Sequence, residues 1–188
     1  MRLTRSATIA ALLAALCCSA PGPLATSAFA ADAPATAARE GWYGHRVDGA
    51  FVAGYAVLPK PEGVTIVDSR PAARKYDRGH IPTAINIPDG QFDKLVDLLP
   101  ADKNQLLIFY CEGVDCMLSH QSAFKAERLG YTNIKVYAEG YPDWIARGNL
   151  GAVSVPYLKK RMDDGAPITV VDSRPKERKY DKGHIPGA

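Results

Sequence analysis

A 21-residue segment is written twice in this chain. Residues 64–84 read VTIVDSRPAARKYDRGHIPTA and residues 168–188 read ITVVDSRPKERKYDKGHIPGA, with 15 positions identical and the copies 104 residues apart. That spacing is too long for a solenoid unit and matches whole domains, at roughly 100 residues each. The repeat therefore predicts one domain over residues 42–150 and the opening of a second over residues 151–188. The second copy has no counterpart to the residues beyond Ala84 of the first. The expectation is a fragment of a longer protein, or a C-terminal part that cannot fold as a domain alone.

The first thirty residues are expected to be a targeting segment. Arg2 and Arg5 start it, Ala7 to Ala20 is an almost unbroken apolar run, Pro21 and Gly22 end it, and Ala28-Phe29-Ala30 is a small-x-small cleavage pattern. That is the build of a secretory signal peptide, with a run short of the about 20 apolar residues of a membrane span. The chain is expected in the periplasm or secreted, with no membrane span after cleavage and a loose lead-in over residues 31–41. The net charge is +3 with both signs interspersed, so nothing resembles a nucleic-acid arm or a polybasic membrane patch.

The remaining pattern alternates strands and helices. Thr65-Ile66-Val67, Ala84 to Ile87, Leu106 to Tyr110 and Ile134 to Tyr137 read as strands. Phe92, Leu95, Val96 and Leu99 recur at helical spacing before Pro100. A second helix places Leu118, Ser122, Ala126 and Leu129 on one face and ends at Gly130. Tyr141 to Arg147 reads as a short helix with Trp144 buried. Such alternation predicts an α/β domain with a mostly parallel sheet. In the second unit, Ser154 caps a helix entered by Val155 and Pro156, and Ile168 to Val171 repeats the first strand. That unit has no sheet partners of its own and is expected to dock on the first or to be mobile.

Cleavage would remove Cys17 and Cys18 and leave Cys111 and Cys116. Two cysteines five positions apart staple little, so they point to chemistry. Cys111 ends the most apolar strand, where ligands sit in open α/β sheets. The loop after it leads into a helix N-terminus, whose free N–H groups favour an anion. A thiolate is expected there. Asp68 and Arg70 read as a structural ion pair, and His80 as a turn histidine bonded to backbone.

Taken together, Val67-Asp68-Ser69-Arg70, Gly79-His80-Ile81-Pro82, Phe109-Tyr110-Cys111 and Val136-Tyr137-Ala138-Glu139-Gly140-Tyr141-Pro142-Asp143-Trp144 resemble the rhodanese family, in the family's order across residues 64–148. The resemblance implies a three-layer α/β domain with a five-stranded, mostly parallel sheet flanked by helices. It also implies sulfur transfer through a persulfide on Cys111, with Glu112, Gly113, Val114, Asp115, Met117, Leu118 and Ser119 lining the substrate loop. It assigns no cofactor and no metal. The implied partners are a small sulfur-containing substrate and a thiol reductant or acceptor protein.

The loop departs from the family's usual pattern. It carries two acids, Glu112 and Asp115, and no base, so a thiosulfate dianion would meet like charge. Met117 stands where phosphatase or arsenate chemistry needs Arg, which excludes that reading. Cys116 could resolve a Cys111 persulfide as a disulfide. Two other readings stay open: a redox or metal-binding site formed by Cys111, Cys116 and His120, and a non-catalytic sulfur carrier. A resting Cys111–Cys116 disulfide is a further expectation.

Overall fold

The computed structural model describes residues 39–188; the signal-peptide reading, with Cys17 and Cys18, falls outside them. Four strands form one parallel sheet: β1 (Val64–Asp68), β2 (Ile85–Asn86), β3 (Leu106–Tyr110) and β4 (Ile134–Tyr137), in the order β2-β1-β3-β4. Helices α1 (Gly49–Ala53), α2 (Leu118–Arg128), α3 (Gly140–Ala146) and α4 (Val155–Asp163) complete the chain order. Every residue of β1 and β3 is buried. Both faces of the sheet are covered, so these strands are buried along their whole length rather than alternating, with Thr65 and Asp68 the polar positions of β1. Leu107 and Phe109 pack one way with Val67, Val136, Phe92 and Ala123. Leu106, Ile108 and Tyr110 pack the other way with Ile66, Val52, Ile81 and Trp144.

The sheet has four strands where five were expected. The fifth position is held by an isolated parallel bridge between Arg46 and Val136. Val47 N–H donates to the Val136 carbonyl (3.0 Å) and Val136 N–H to the His45 carbonyl (2.9 Å). Asp48 then caps α1 through its side chain, and the chain turns away before a ladder can grow.

The expected helix over Phe92 to Leu99 is instead two 3-10 turns, Asp89–Lys94 and Val96–Leu98. Leu95 leaves helical backbone at φ −119° and divides them. The Asp89 carbonyl is held from outside by Lys125 Nζ at 2.7 Å, and a tight turn suits that anchor. Phe92 and Leu99 still reach the core. On α2 the buried face is Ser119, His120, Ser122, Ala123 and Ala126, while Leu129 is exposed past the helix end.

The second unit begins as expected and then departs. Ser154 Oγ accepts from Tyr157 N–H and caps α4, with Pro156 in its first turn. Ala152 exchanges two backbone bonds with His80, both 2.8 Å, and Ser154 N–H donates to the Asp77 carbonyl (3.0 Å). This seam docks residues 152–154 on the first repeat. Residues 168–171 are not a strand, because no neighbouring strand offers them a ladder. Among the described residues no helix is long and apolar enough to cross a membrane.

Candidate active site

β3 delivers Cys111 to the carboxyl end of the sheet, fully buried. Its backbone is fixed from one side by α3: Tyr141 N–H donates to the Cys111 carbonyl at 3.0 Å. Gly140 stands at φ +68°, and any Cβ there would run into that carbonyl and the Gly113 nitrogen. The Gly-Tyr of the 139–144 motif is thus the clamp on the cysteine loop. Gly113, at φ +141°, and the Cys116 N–H to Gly113 carbonyl bond (2.9 Å) curl the loop tightly.

The curl brings the two cysteines together. Both are free thiols, not a disulfide, and each shifts the other's titration. Cys111 Sγ lies 3.0 Å from the Cys116 carbonyl and 3.2 Å from Ser119 Oγ. The expected N–H cradle exists but is divided. The Ser119 backbone works to lower Cys111, whereas those of Glu112 and Leu118 work to lower Cys116.

Cys116, with burial, pushes the Cys111 thiol up. Cys111 and two backbone donors hold Cys116 down at about 6. The two sulfurs titrate as a pair, and burial works against the thiolate expected at Cys111, while Cys116 is the less buried sulfur.

The loop acids are not bare. Glu112 accepts from Arg70 Nη1 (3.2 Å) and Lys75 Nζ (2.7 Å). Burial works to raise the Glu112 carboxyl, and these two cations outweigh it and leave it lowered. Asp115 pairs with Arg39 at 2.6 Å. The expected like-charge barrier to an anionic donor is thus offset by bases that sequence neighbours do not supply. Arg39 also reaches the Val114 carbonyl, and Met117 precedes α2 with its methyl near Gly41. Of the predicted loop residues, Glu112, Gly113, Leu118 and Ser119 surround the sulfurs, while Val114, Asp115 and Met117 face outward or toward the 39–41 segment.

Arg70 organises the wall beside the loop. It grips Asp68 through Nε (2.9 Å) and Nη2 (2.6 Å) and donates to the Gly79 carbonyl (2.7 Å). Its guanidinium lies 4.5 Å from the Tyr141 ring centre and 5.5 Å from that of Tyr110. His80 stacks on Tyr76 at 3.9 Å and its Nδ1 meets the Tyr76 carbonyl at 2.8 Å, a turn position. His120 turns away from the sulfurs: its Nδ1 accepts from Tyr43 N–H (3.0 Å) and its ring stacks on Trp42. Among the described residues no group of three or more His, Cys, Asp or Glu could hold a metal, which corrects the Cys111–Cys116–His120 metal reading. Lys75 and Arg39 were not singled out from the sequence; they lie 37 and 76 residues from their partners and carry no local signal.

Residues 56–147 match the family model of the rhodanese-like domain. The HTH-type transcriptional regulator Rv0324 of Mycobacterium tuberculosis is 31% identical over 105 residues, covering 56% of this chain and 40% of that protein. The rhodanese domain-containing protein CG4456 of Drosophila melanogaster is 25% identical over 104 residues, covering 50% of this chain and 92% of that one. The rhodanese-like domain of the Anabaena sp. Alr3790 protein shares the fold, with a TM-score of 0.50 at 18% identity over 72% of this chain and 94% of that chain. The chain thus spans well under half of the regulator's length. The strand-end cysteine loop and the parallel sheet that holds it belong, across residues 56–147, to a domain of the rhodanese-like family.

Proposed function

We propose that this domain is a sulfurtransferase that accepts a sulfane sulfur on Cys111, with Cys116 as base and resolving thiol. The observation that carries the reading is the pair of free thiols at the end of β3, with Cys111 Sγ 3.0 Å from the Cys116 carbonyl in the curled loop. The Cys116 thiolate takes the Cys111 proton as Cys111 Sγ attacks the terminal sulfur of a donor. The donor's S–S bond breaks, and its remainder leaves with the electron pair, as sulfite from thiosulfate or a shortened chain from a polysulfide. The product is a Cys111 persulfide. An acceptor thiol can take the outer sulfur. Alternatively, ionised Cys116 attacks Cys111 Sγ, hydrosulfide leaves, and a Cys111–Cys116 disulfide forms. A thiol reductant then supplies two electrons and restores both thiols. Export to the periplasm or beyond belongs to the same reading and rests on residues 1–30.

A second reading has its own observation. Cys111 is wholly buried, whereas Cys116 is partly exposed and more acidic. In that reading Cys116 takes the sulfur first and Cys111 resolves it. Intact and peptide mass after incubation with thiosulfate or polysulfide separates the two. Under the first reading Cys116→Ser still gains one sulfur, at position 111, and Cys111→Ser gains none. The reverse pattern installs Cys116 as the carrier. No gain in either Cys116→Ser or Cys111→Ser from either donor overturns sulfur transfer and leaves a thiol–disulfide role.

A further inference from the structure

The resting Cys111 thiol is parked on a carbonyl. Its S–H donates to the Cys116 carbonyl at 3.0 Å, inside the curl of the loop. That carbonyl has no second partner among the described residues. The hydrogen-bond ladder of α2 starts one residue later, where Gln121 N–H donates to the Met117 carbonyl at 2.9 Å. On the other side, Cys116 N–H is held by the Gly113 carbonyl at 2.9 Å. The peptide unit between Cys116 and Met117 therefore lies between two anchored neighbours. Its own hydrogen-bond contact is the Cys111 proton. The Met117 N–H, at the opposite side of the unit, meets no protein acceptor among the described residues.

A thiolate or a persulfide anion has no proton to give. With the proton gone, the buried sulfur faces the negative end of a carbonyl dipole, in a site where such contacts are poorly screened. Ser119 Oγ, 3.2 Å away, can turn its hydroxyl to the charged sulfur but cannot remove the carbonyl. Half a turn of the peptide unit removes it and presents the Met117 N–H instead, an attractive contact for a repulsive one. The turn carries Met117 from φ −83° to a positive φ, which costs a methionine and not a glycine. That cost keeps the carbonyl inward while Cys111 holds its proton.

Resting on the reading of Cys111 as the sulfur acceptor, we propose that the Cys116–Met117 peptide is a proton-controlled switch of the site. The carbonyl points in while Cys111 is a thiol. The Met117 N–H points in once Cys111 is a thiolate or a persulfide. The switch itself makes and breaks no covalent bond; the Cys111 proton leaves to the Cys116 thiolate, or to solvent where Cys116 is replaced. The buried thiol is thus shut at rest and opened by its own ionisation.

The test uses the full chain with Cys116→Ser, which keeps the carbonyl and leaves Cys111 as the site's one thiol. Iodoacetamide labelling of Cys111 is timed at about pH 9 and mapped by mass, with Met117→Ala as the reference. Met117→Pro fixes φ near its resting value and removes an N–H that holds no bond at rest. It should slow labelling about tenfold, the scale of one charge-assisted hydrogen bond. Met117→Gly should speed labelling about tenfold, by relieving the positive φ. An unchanged unfolding midpoint certifies each variant. A second measurement needs neither. The sequence holds three methionines, so heavy-nitrogen methionine labelling leaves Met117 and Met162 as the internal amide signals, told apart by Met117→Leu. The Met117 amide should move downfield in step with Cys111 ionisation. The switch falls if Met117→Pro and Met117→Ala label alike, or if the Met117 amide stays in place while Cys111 ionises. Neither readout needs a sulfur donor. Absent sulfur uptake with the proline effect intact strikes the sulfurtransferase reading alone, and sulfur uptake with equal labelling strikes the switch alone.

Discussion

Cys111 and Cys116 differ in what surrounds their sulfurs, and the difference predicts their reactivity. Two N–H donors and the neighbouring thiol stabilise the Cys116 thiolate, whereas Cys111 is buried against the Cys116 carbonyl and Ser119. The thiolate is the reactive form, so Cys116 alkylation by iodoacetamide should rise with pH through a midpoint near 6. Mass mapping should find Cys111 unlabelled over that range. Cys111→Ala removes the bond that most lowers Cys116 and should move the midpoint upward. Gly140 is the second residue-scale case. Gly140→Ala puts a methyl group into the Cys111 carbonyl at a positive φ, and should cost about 1–3 kcal/mol by chemical denaturation while slowing sulfur uptake.

At the scale of elements, buried polar groups tie the layers together. His120 on α2 is pushed down to about 4, by burial first and by Arg46 second. It is neutral in the folded chain, whereas the unfolded chain binds a proton near pH 6.5. The unfolded state therefore takes up more protons between about 6.5 and 4, and stability falls as pH drops through that window. His120→Gln should flatten that part of the curve of denaturation midpoint against pH. The Asp68–Arg70 pair closes the end of β1, with side chains 0% and 3% exposed. Asp68→Asn leaves a buried guanidinium short of its main partner and should cost about 3 kcal/mol in a denaturant series. Asp172→Asn breaks the same bonds at an exposed site and should leave the melting midpoint unchanged.

Elements were legible in the sequence to different degrees for physical reasons. β3 matches the apolar run Leu106–Tyr110 residue for residue, because a strand buried on both faces shows its whole length in composition. The 89–98 segment kept its buried residues but not its helix type, since an outside lysine sets its first carbonyl. The fifth strand shrank to one bridge because Asp48 turns the chain into α1. The loop's chemistry was half legible. The cysteines and their N–H donors are neighbours in sequence. The cations on Glu112 and Asp115 arrive from distant segments and could not be read from spacing.

At the scale of the whole molecule, the described residues carry a packed sheet domain and a C-terminal stretch that is joined to it by backbone bonds at residues 152–154. The seam at His80, Asp77, Ala152 and Ser154 is the backbone attachment, and residues 166–188 are mostly exposed. Limited trypsin digestion should cut first within residues 174–182, which hold five of the tail's exposed cations, and leave a fragment through α4 intact. Loss of the sheet domain before the tail would contradict this arrangement.

The repeat separates what the sequence by itself determined from what the tertiary structure decided. In both copies the arginine grips the aspartate two residues before it and the glycine carbonyl nine residues after it. In both, the tyrosine stacks on the histidine four residues on, and its hydroxyl reaches the alanine carbonyl eight residues on. These contacts span few residues, so closing them costs little chain entropy and identical sequence suffices. Strand, burial and charge partners differ between the copies. Residues 64–68 are a buried strand and residues 168–172 are not, because a parallel ladder needs a partner far along the chain. Only where β3 arrives does the local motif become the wall of a site, with Arg70 and Lys75 turned toward Glu112 and the cysteine loop.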